Sequence, residues 1–207
     1  MNNLFFLSGP HGSGKTTLSD LLREIPGVLT PDIEMRTPKF YSDVPQDEID
    51  FFHRQELKHA ERAIENYEYS EIARKNPDKI IIGNRCIYDV LVYDEAYSQR
   101  GWITEEQKEI LKKNSEHLFG SLREPYAIIL NTGIEACIRH LENRWKTKNK
   151  KFMESDMDYL SAVCSAFEDY RFYSNVYYID HELDLGNKSE IERISEWIDS
   201  ISGRVYA

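Results

Sequence analysis

A chain of 207 residues, 41% hydrophobic and 30% charged, is the size of one domain with a full core, and apolar residues spread along its length exclude a disordered segment as its main character. The formal net charge of −10 argues against a nucleic-acid duplex as partner, because duplex-binding surfaces carry a basic excess. No run approaches the ~20 apolar residues of a membrane span, and Cys86, Cys137 and Cys164 show no CxxC or metal-type spacing, so the expectation is one cytoplasmic domain over 1–207 with reduced thiols, no membrane and no nucleic acid.

The chain opens on the apolar run Leu4–Ser8, too short for a signal sequence and without a basic leader. It reads as a strand, and it delivers Gly9-Pro10-His11-Gly12-Ser13-Gly14-Lys15-Thr16, a full match to GxxxxGK[ST]. A helix over Lys15–Arg23 follows, so the loop has a strand before it and a helix after it. Glycines let successive backbone N–H groups turn inward onto phosphates, and the helix N-terminus adds partial positive charge. Lys15 then reaches the terminal phosphates, the Thr16 hydroxyl is placed for Mg²⁺, and Thr17 completes the nucleotide-binding set of 9–17.

A second strand is expected over 27–33, leading to Asp32, Glu34 and Arg36. A long helix over 45–76 is opened by Asp47 and Glu48 and stopped before Pro77. It carries Phe51-Phe52-His53-Arg54-Gln55 and offers a surface on which a homodimer would form. The run Ile80-Ile81-Ile82 within 79–83 is continuously apolar, as a strand covered on both faces should be. Helices over 89–99 and 104–119 come next, the latter with Thr104 and Gln107 as a capping box. A strand over 126–131 is followed by a helix over 134–146. That helix runs into the only charge-dense interruption, which holds Arg144, Lys146, Lys148, Lys150 and Lys151 and reads as a mobile lid over about 144–154. A helix over 155–173, a strand over 176–180 and a helix over 189–201, with Ser189 and Glu192 as a second capping box, complete the chain. Alternating strands and helices predict a three-layer αβα P-loop NTPase fold with a five-stranded parallel sheet and a helical lid.

Three stretches, read with the phosphate loop, carry a resemblance. They are Ile82-Gly83-Asn84-Arg85-Cys86-Ile87-Tyr88-Asp89, the segment from Leu130 to Arg144, and Lys151-Phe152-Met153-Glu154-Ser155-Asp156-Met157-Asp158-Tyr159-Leu160. This layout resembles the thymidylate kinase and deoxynucleoside kinase group of P-loop kinases. The resemblance implies ATP-dependent phosphoryl transfer, with Mg²⁺, to a small-molecule nucleoside or nucleoside monophosphate. It places Arg85 at the acceptor's phosphate or 5′-oxygen, Arg144 over the transferred group, and Glu34 beside the acceptor. Arg36, Arg54 and Gln55 would line the acceptor pocket, and Lys15, Arg85, Arg144 and Glu34 would form the catalytic set. The chain departs from the group at Asn84, where the group has Asp or Glu; a neutral amide cannot match a carboxylate at Mg²⁺, and Asp89, Asp32 or Glu34 would compensate. The acidic-proline signature of thymidylate kinases after the second strand is missing, which leaves base, sugar and phosphorylation level of the acceptor open. Two other readings stand beside this one: a regulatory P-loop NTPase switch, and a kinase for another small riboside, since the stretch from Arg85 to Tyr93 is also similar to the edge of nicotinamide-riboside-kinase-like domains.

Overall fold

In the computed structural model, the residues described are 3–33, 50–147, 153–184 and 188–203. Five strands, β1 (Leu4–Ser8), β2 (Val28–Leu29), β3 (Ile80–Asn84), β4 (Tyr126–Leu130) and β5 (Val176–Ile179), form one parallel sheet in the order β2-β3-β1-β4-β5. Seven helices are described: α1 (Lys15–Arg23), α2 (Phe51–Lys75), α3 (Ile87–Gln99), α4 (Glu105–Phe119), α5 (Ile134–Trp145), α6 (Met157–Phe167) and α7 (Lys188–Ser202).

Strand side chains alternate between faces, and the two faces feed two separate cores. Leu4, Phe6, Ile81, Ala127 and Ile129 pack with Tyr69 and Ala73 of α2, Val92 and Ala96 of α3, and Leu160 and Val163 of α6. Phe5, Leu7, Ile80, Ile82, Ile128 and Leu130 pack with Leu18 and Leu22 of α1 and Ile194 and Ile198 of α7. Central strands buried on both sides explain the unbroken apolar runs, and the result is the expected three-layer α/β architecture. The chain leaves β1 toward β2 and later crosses β1 to reach β4, so β1 lies at the reversal of strand order. Ligands of open α/β sheets bind at the carboxyl edge there.

Several boundaries differ from expectation for identifiable reasons. β2 pairs through Val28↔Ile80 and Leu29↔Ile81, and Pro31, which has no N–H to donate, follows after Thr30. α2 starts at Phe51, where the Asp50 side chain caps it by accepting from His53 N at 2.8 Å; the opening expected at Pro45, with Asp47 and Glu48, lies outside the described residues. α3 starts two residues before Asp89, since Cys86 and Asp89 form a reciprocal cap. The expected helix over 155–173 is α6 with Asp156 as its N-cap, followed by a separate 3-10 turn over Glu168–Tyr170. Ser189 lies inside α7, not at its cap. Thr104 and Gln107 do form the expected box, with bonds of 2.8 and 3.2 Å.

Candidate active site

The phosphate loop is pressed between β1 and the β4–α5 connection. Gly9 has φ 142°, and a Cβ there would lie 2.1 Å from the Leu130 carbonyl; Gly12 has φ 79°, and a Cβ would lie 2.5 Å from the Cys137 carbonyl. Neither space nor backbone conformation admits a side chain at these two positions. His140 Nδ1 on α5 braces the loop at 2.7 Å from the Gly12 carbonyl. Gly14 caps α1, and the side chains of Thr16 and Thr17 in its first turn are exposed, so the Thr16 hydroxyl is open to a ligand. Lys15 Nζ folds back on its own loop, donating to Gly9 O at 2.8 Å and Pro10 O at 2.7 Å and lying 3.3 Å from Ser13 Oγ. Its pKa is lowered to about 7, chiefly by loss of water around the ammonium and also by the positive charges of Arg85 and Arg144; Asp89 and Cys137 oppose the shift. Lys15, Arg85, Asp89 and Arg144 therefore converge electrostatically at the carboxyl edge of the sheet.

Arg85 occupies the left-handed region, φ 65°, which is costly for a residue with a Cβ and tends to mark functional positions. Both backbone groups are held: its N–H donates to Leu7 O at 2.8 Å, and its carbonyl accepts from Asn66 Nδ2 at 3.0 Å. The preceding Asn84 carbonyl accepts from Arg62 at 2.9 Å. The guanidinium donates to Asp89 Oδ1 at 2.8 Å and Tyr93 Oη at 2.6 Å. The other Asp89 oxygen accepts from Ser8 Oγ at 2.6 Å and Cys86 N at 3.0 Å. A single buried carboxylate thus ties β1, the Arg85 turn and the start of α3 together, one residue from the phosphate loop. Of the two carboxylates considered as compensation for Asn84 that lie among the described residues, Asp89 is buried at this edge and Asp32 is partly exposed.

Arg144, at the end of α5, forms an ion pair with Glu154, which is fully buried. Glu154 also accepts from Trp145 Nε1 at 3.3 Å and lies 3.6 Å from His11 Nδ1 in the phosphate loop. Rings continue from His11 toward α2: Tyr93 at 5.5 Å and Tyr159 at 6.5 Å from His11, then Tyr97 at 5.8 Å from Tyr159, then Phe51 at 5.5 Å from Tyr97. Burial pushes the Tyr97 phenol up to about 12, against the opposing pull of the Arg54 guanidinium on α2. Gln55 is buried and donates from Nε2 to Asp94 Oδ1 at 2.9 Å.

The structure thus brings Lys15, Arg85 and Arg144 to one edge and sets Arg54 and Gln55 on α2 beside the aromatic row. Glu34 and Arg36, and the lysines Lys148, Lys150 and Lys151 of the expected lid, lie outside the described residues. Glu154, Asn66, Arg62 and His140 escape a reading of the sequence. Glu154 is the one carboxylate directly after the basic run, and Arg62 and Asn66 follow Gln55 at helical spacing; those patterns are the only local signals. His53 is exposed and faces Glu56 at 3.3 Å, as a polar helix residue should. Cys86, Cys137 and Cys164 are free and buried. Among the described residues no helix is long and apolar enough to cross a membrane.

The sequence profile of the family described as deoxynucleoside kinase matches residues 5–201. No curated protein sequence matches the chain. Among solved structures, the chain is similar to a deoxyadenosine kinase from M. mycoides with bound dATP, with a TM-score of 0.67 and 15% identity over 94% of this chain and 98% of that one. The same kinase with bound dCTP gives a TM-score of 0.59 and 16% identity over 96% and 100%. At such identity these likenesses speak for the fold, and the family match covers nearly the whole chain.

Proposed function

The chain belongs to the deoxynucleoside kinase family, and from that premise we propose that it moves the γ-phosphoryl group of ATP, with Mg²⁺, to the 5′-hydroxyl of a deoxynucleoside. The observation that carries this reading is the convergence of Lys15, Arg85 and Arg144 around the loop of 9–16, with Asp89 beneath them. Phosphoryl transfer needs alignment and charge stabilisation more than covalent chemistry, and three cations at one sheet edge supply the charge.

Each group has a part in this reading. The loop N–H groups and Lys15 bind the donor phosphates, with Lys15 exchanging its two loop carbonyls for phosphate oxygens. Arg85, held in a strained conformation, points at the acceptor oxygen, and Arg144 stabilises the transferring group. Glu34 is the proposed base for the hydroxyl proton, and Arg36, Arg54 and Gln55 contact the acceptor. The exposed Thr16 hydroxyl fits Mg²⁺, which keeps several waters and takes its remaining ligands from phosphates and one or two carboxylates; bound there, the ion neutralises phosphate charge. Among the described residues there is no cluster of three His, Cys, Asp or Glu side chains for a metal, in keeping with a metal that arrives with the nucleotide. A cytoplasmic location suits three free thiols. A homodimer through α2 and α4 is supported by exposed Ile64, Tyr67, Ile110 and Leu118 on those two packed helices.

The test is ADP release across deoxynucleosides, ribonucleosides and monophosphates with ATP and Mg²⁺. Acceptor-dependent turnover with a deoxynucleoside is expected, lost in Lys15→Met and lowered by orders of magnitude in Arg85→Ala. Turnover with monophosphates alone would overturn the assignment of the acceptor, and hydrolysis indifferent to every acceptor would restore the regulatory-switch reading.

A further inference from the structure

Gln55, His59, Arg62 and Asn66 follow one another at i, i+4, i+7 and i+11 on α2 and therefore share a face. The last two hold the Asn84–Arg85 turn. Gln55 precedes Arg62 by seven residues, about 10 Å along the axis at 1.5 Å per residue, roughly the reach from a nucleoside's 5′-oxygen to the edge of its base. Behind Gln55 runs a chain of buried polar groups drawn from three helices. Gln55 Nε2 donates to Asp94 Oδ1 at 2.9 Å, His59 Nε2 lies 3.1 Å from the same oxygen, and Ser115 Oγ lies 2.7 Å from His59 Nδ1. Exposure is 4% or less for all four residues.

Burial pushes the Asp94 carboxyl up, and the hydrogen bonds from His59 and Gln55 oppose that; its Oδ1 faces both Gln55 Nε2 and His59 Nε2 and so serves them as an acceptor. Asp94 can hold the NH₂ end of the Gln55 amide and repels the oxygen end, so the amide cannot turn over. Among the described residues the Gln55 side chain makes no further hydrogen bond, which leaves Oε1 and the second N–H for a ligand. We propose that Asp94, braced by His59 and Ser115, is a positioning residue that locks the Gln55 amide in one orientation, so that the acceptor site reads one order of donor and acceptor along the nucleobase edge. The proposal rests on Gln55 facing the acceptor, as read above. Adenine and cytosine present an amino group beside an acceptor nitrogen; guanine and thymine present a carbonyl beside an N–H, the reverse order. A fixed amide makes both bonds to one order and meets the other with like groups. An apolar layer would pack three helices as well as this buried chain does; the polar chain earns its place by setting the amide.

The experiment compares kcat/KM of the wild type, Asp94→Asn, Ser115→Ala and Gln55→Ala for deoxyadenosine, deoxycytidine, deoxyguanosine and thymidine. Asn keeps the volume at position 94 but offers a donor as well as an acceptor, which frees the amide to turn. The wild type is expected to favour one edge class by about tenfold or more. Asp94→Asn should shrink that ratio at least about threefold, through acceptor KM with ATP KM unchanged, and Ser115→Ala should do so more weakly. A wild type that accepts both classes equally overturns the lock, as does a ratio that survives Asp94→Asn while falling in Gln55→Ala. Equal losses on all four acceptors would make Asp94 a packing residue and overturn it too. A ratio unchanged even in Gln55→Ala refutes the placement of Gln55 itself. The same ratio read in nucleoside binding by calorimetry keeps the lock testable should turnover fail, in which case the proposed reaction alone is lost.

Discussion

Lys15 carries the phosphate loop's charge in a setting that weakens it. Its ammonium is desolvated beside two arginines, and its pKa is lowered to about 7. Phosphate oxygens replacing the Gly9 and Pro10 carbonyls would raise that value, so the bound lysine stays protonated at pH 8 while the free lysine is largely neutral. The sign follows: nucleotide binding takes up a proton above pH 7 and takes up little below it. Calorimetry of nucleotide binding in buffers of different ionisation enthalpy should give an uptake approaching one proton at pH 8 and falling toward zero at pH 6, absent in Lys15→Met. No pH dependence beyond that of the nucleotide itself would refute the shifted lysine.

Glu154 makes the complementary case. It is fully buried against Arg144, Trp145 and His11, and removing one partner of such a pair leaves a charge without compensation. Glu154→Ala should cost about 3–5 kcal/mol, read from the urea midpoint, with Glu154→Gln costing less because the amide still accepts from the indole. A midpoint unmoved in both variants would mean that the pair is solvated. Residue roles of this kind are only partly legible in sequence. Lys15 and Thr16 are, because their motif is local and its chemistry dictates each position. The roles expected of Arg85 and Arg144 needed the resemblance, and Glu154 needed its contact with His11 of the phosphate loop, a residue 143 positions away in sequence.

At the scale of elements, helix starts are decided by side chains that satisfy orphan N–H groups. The box at Thr104 is readable because both members are conventional, whereas the start of α3 is not, because a cysteine stands at the cap and Asp89 serves the cap and the Arg85 ion pair together. α4 is remote from the phosphate loop and packs on α2 and α3. Thr104→Ala should therefore lower stability by about 1 kcal/mol, a fall in Tm of roughly 2–4 °C for a chain of this size, without altering kcat. A change in kcat larger than the change in folded fraction would show that the start of α4 is coupled to the site. β2 is shorter than the expected strand over 27–33 for a related reason: apolar periodicity cannot say where a neighbouring strand stops offering partners, and Pro31 lacks the N–H to extend the ladder. The polar face of α2 was equally hidden, since helical spacing places Gln55, His59, Arg62 and Asn66 together but not the helices that meet them.

For the molecule as a whole, sheet and layers were legible because central strands buried on both faces must be apolar throughout. The strand order was not, since it depends on which crossover passes β1. In the proposed reading that order separates the donor surface from the acceptor surface: the loop of 9–16 issues from β1, whereas Arg85 issues from β3 and Gln55 stands on α2, which covers the sheet on the side opposite α1. The two surfaces meet only at the carboxyl edge, so their ligands should stabilise the fold through separable residues. A non-hydrolysable ATP analogue with Mg²⁺ at about 100 times its Kd should raise the unfolding free energy by ~2.7 kcal/mol, roughly 5–11 °C in Tm, and a bound deoxynucleoside at the same excess should do likewise. Lys15→Met at fixed ligand concentration should erase most of the first shift and spare the second. Gln55→Ala should do the reverse. Loss of both shifts together in either variant, with its unliganded Tm unchanged, would mean that a single surface binds both ligands and that the division of labour between β1 and α2 is wrong.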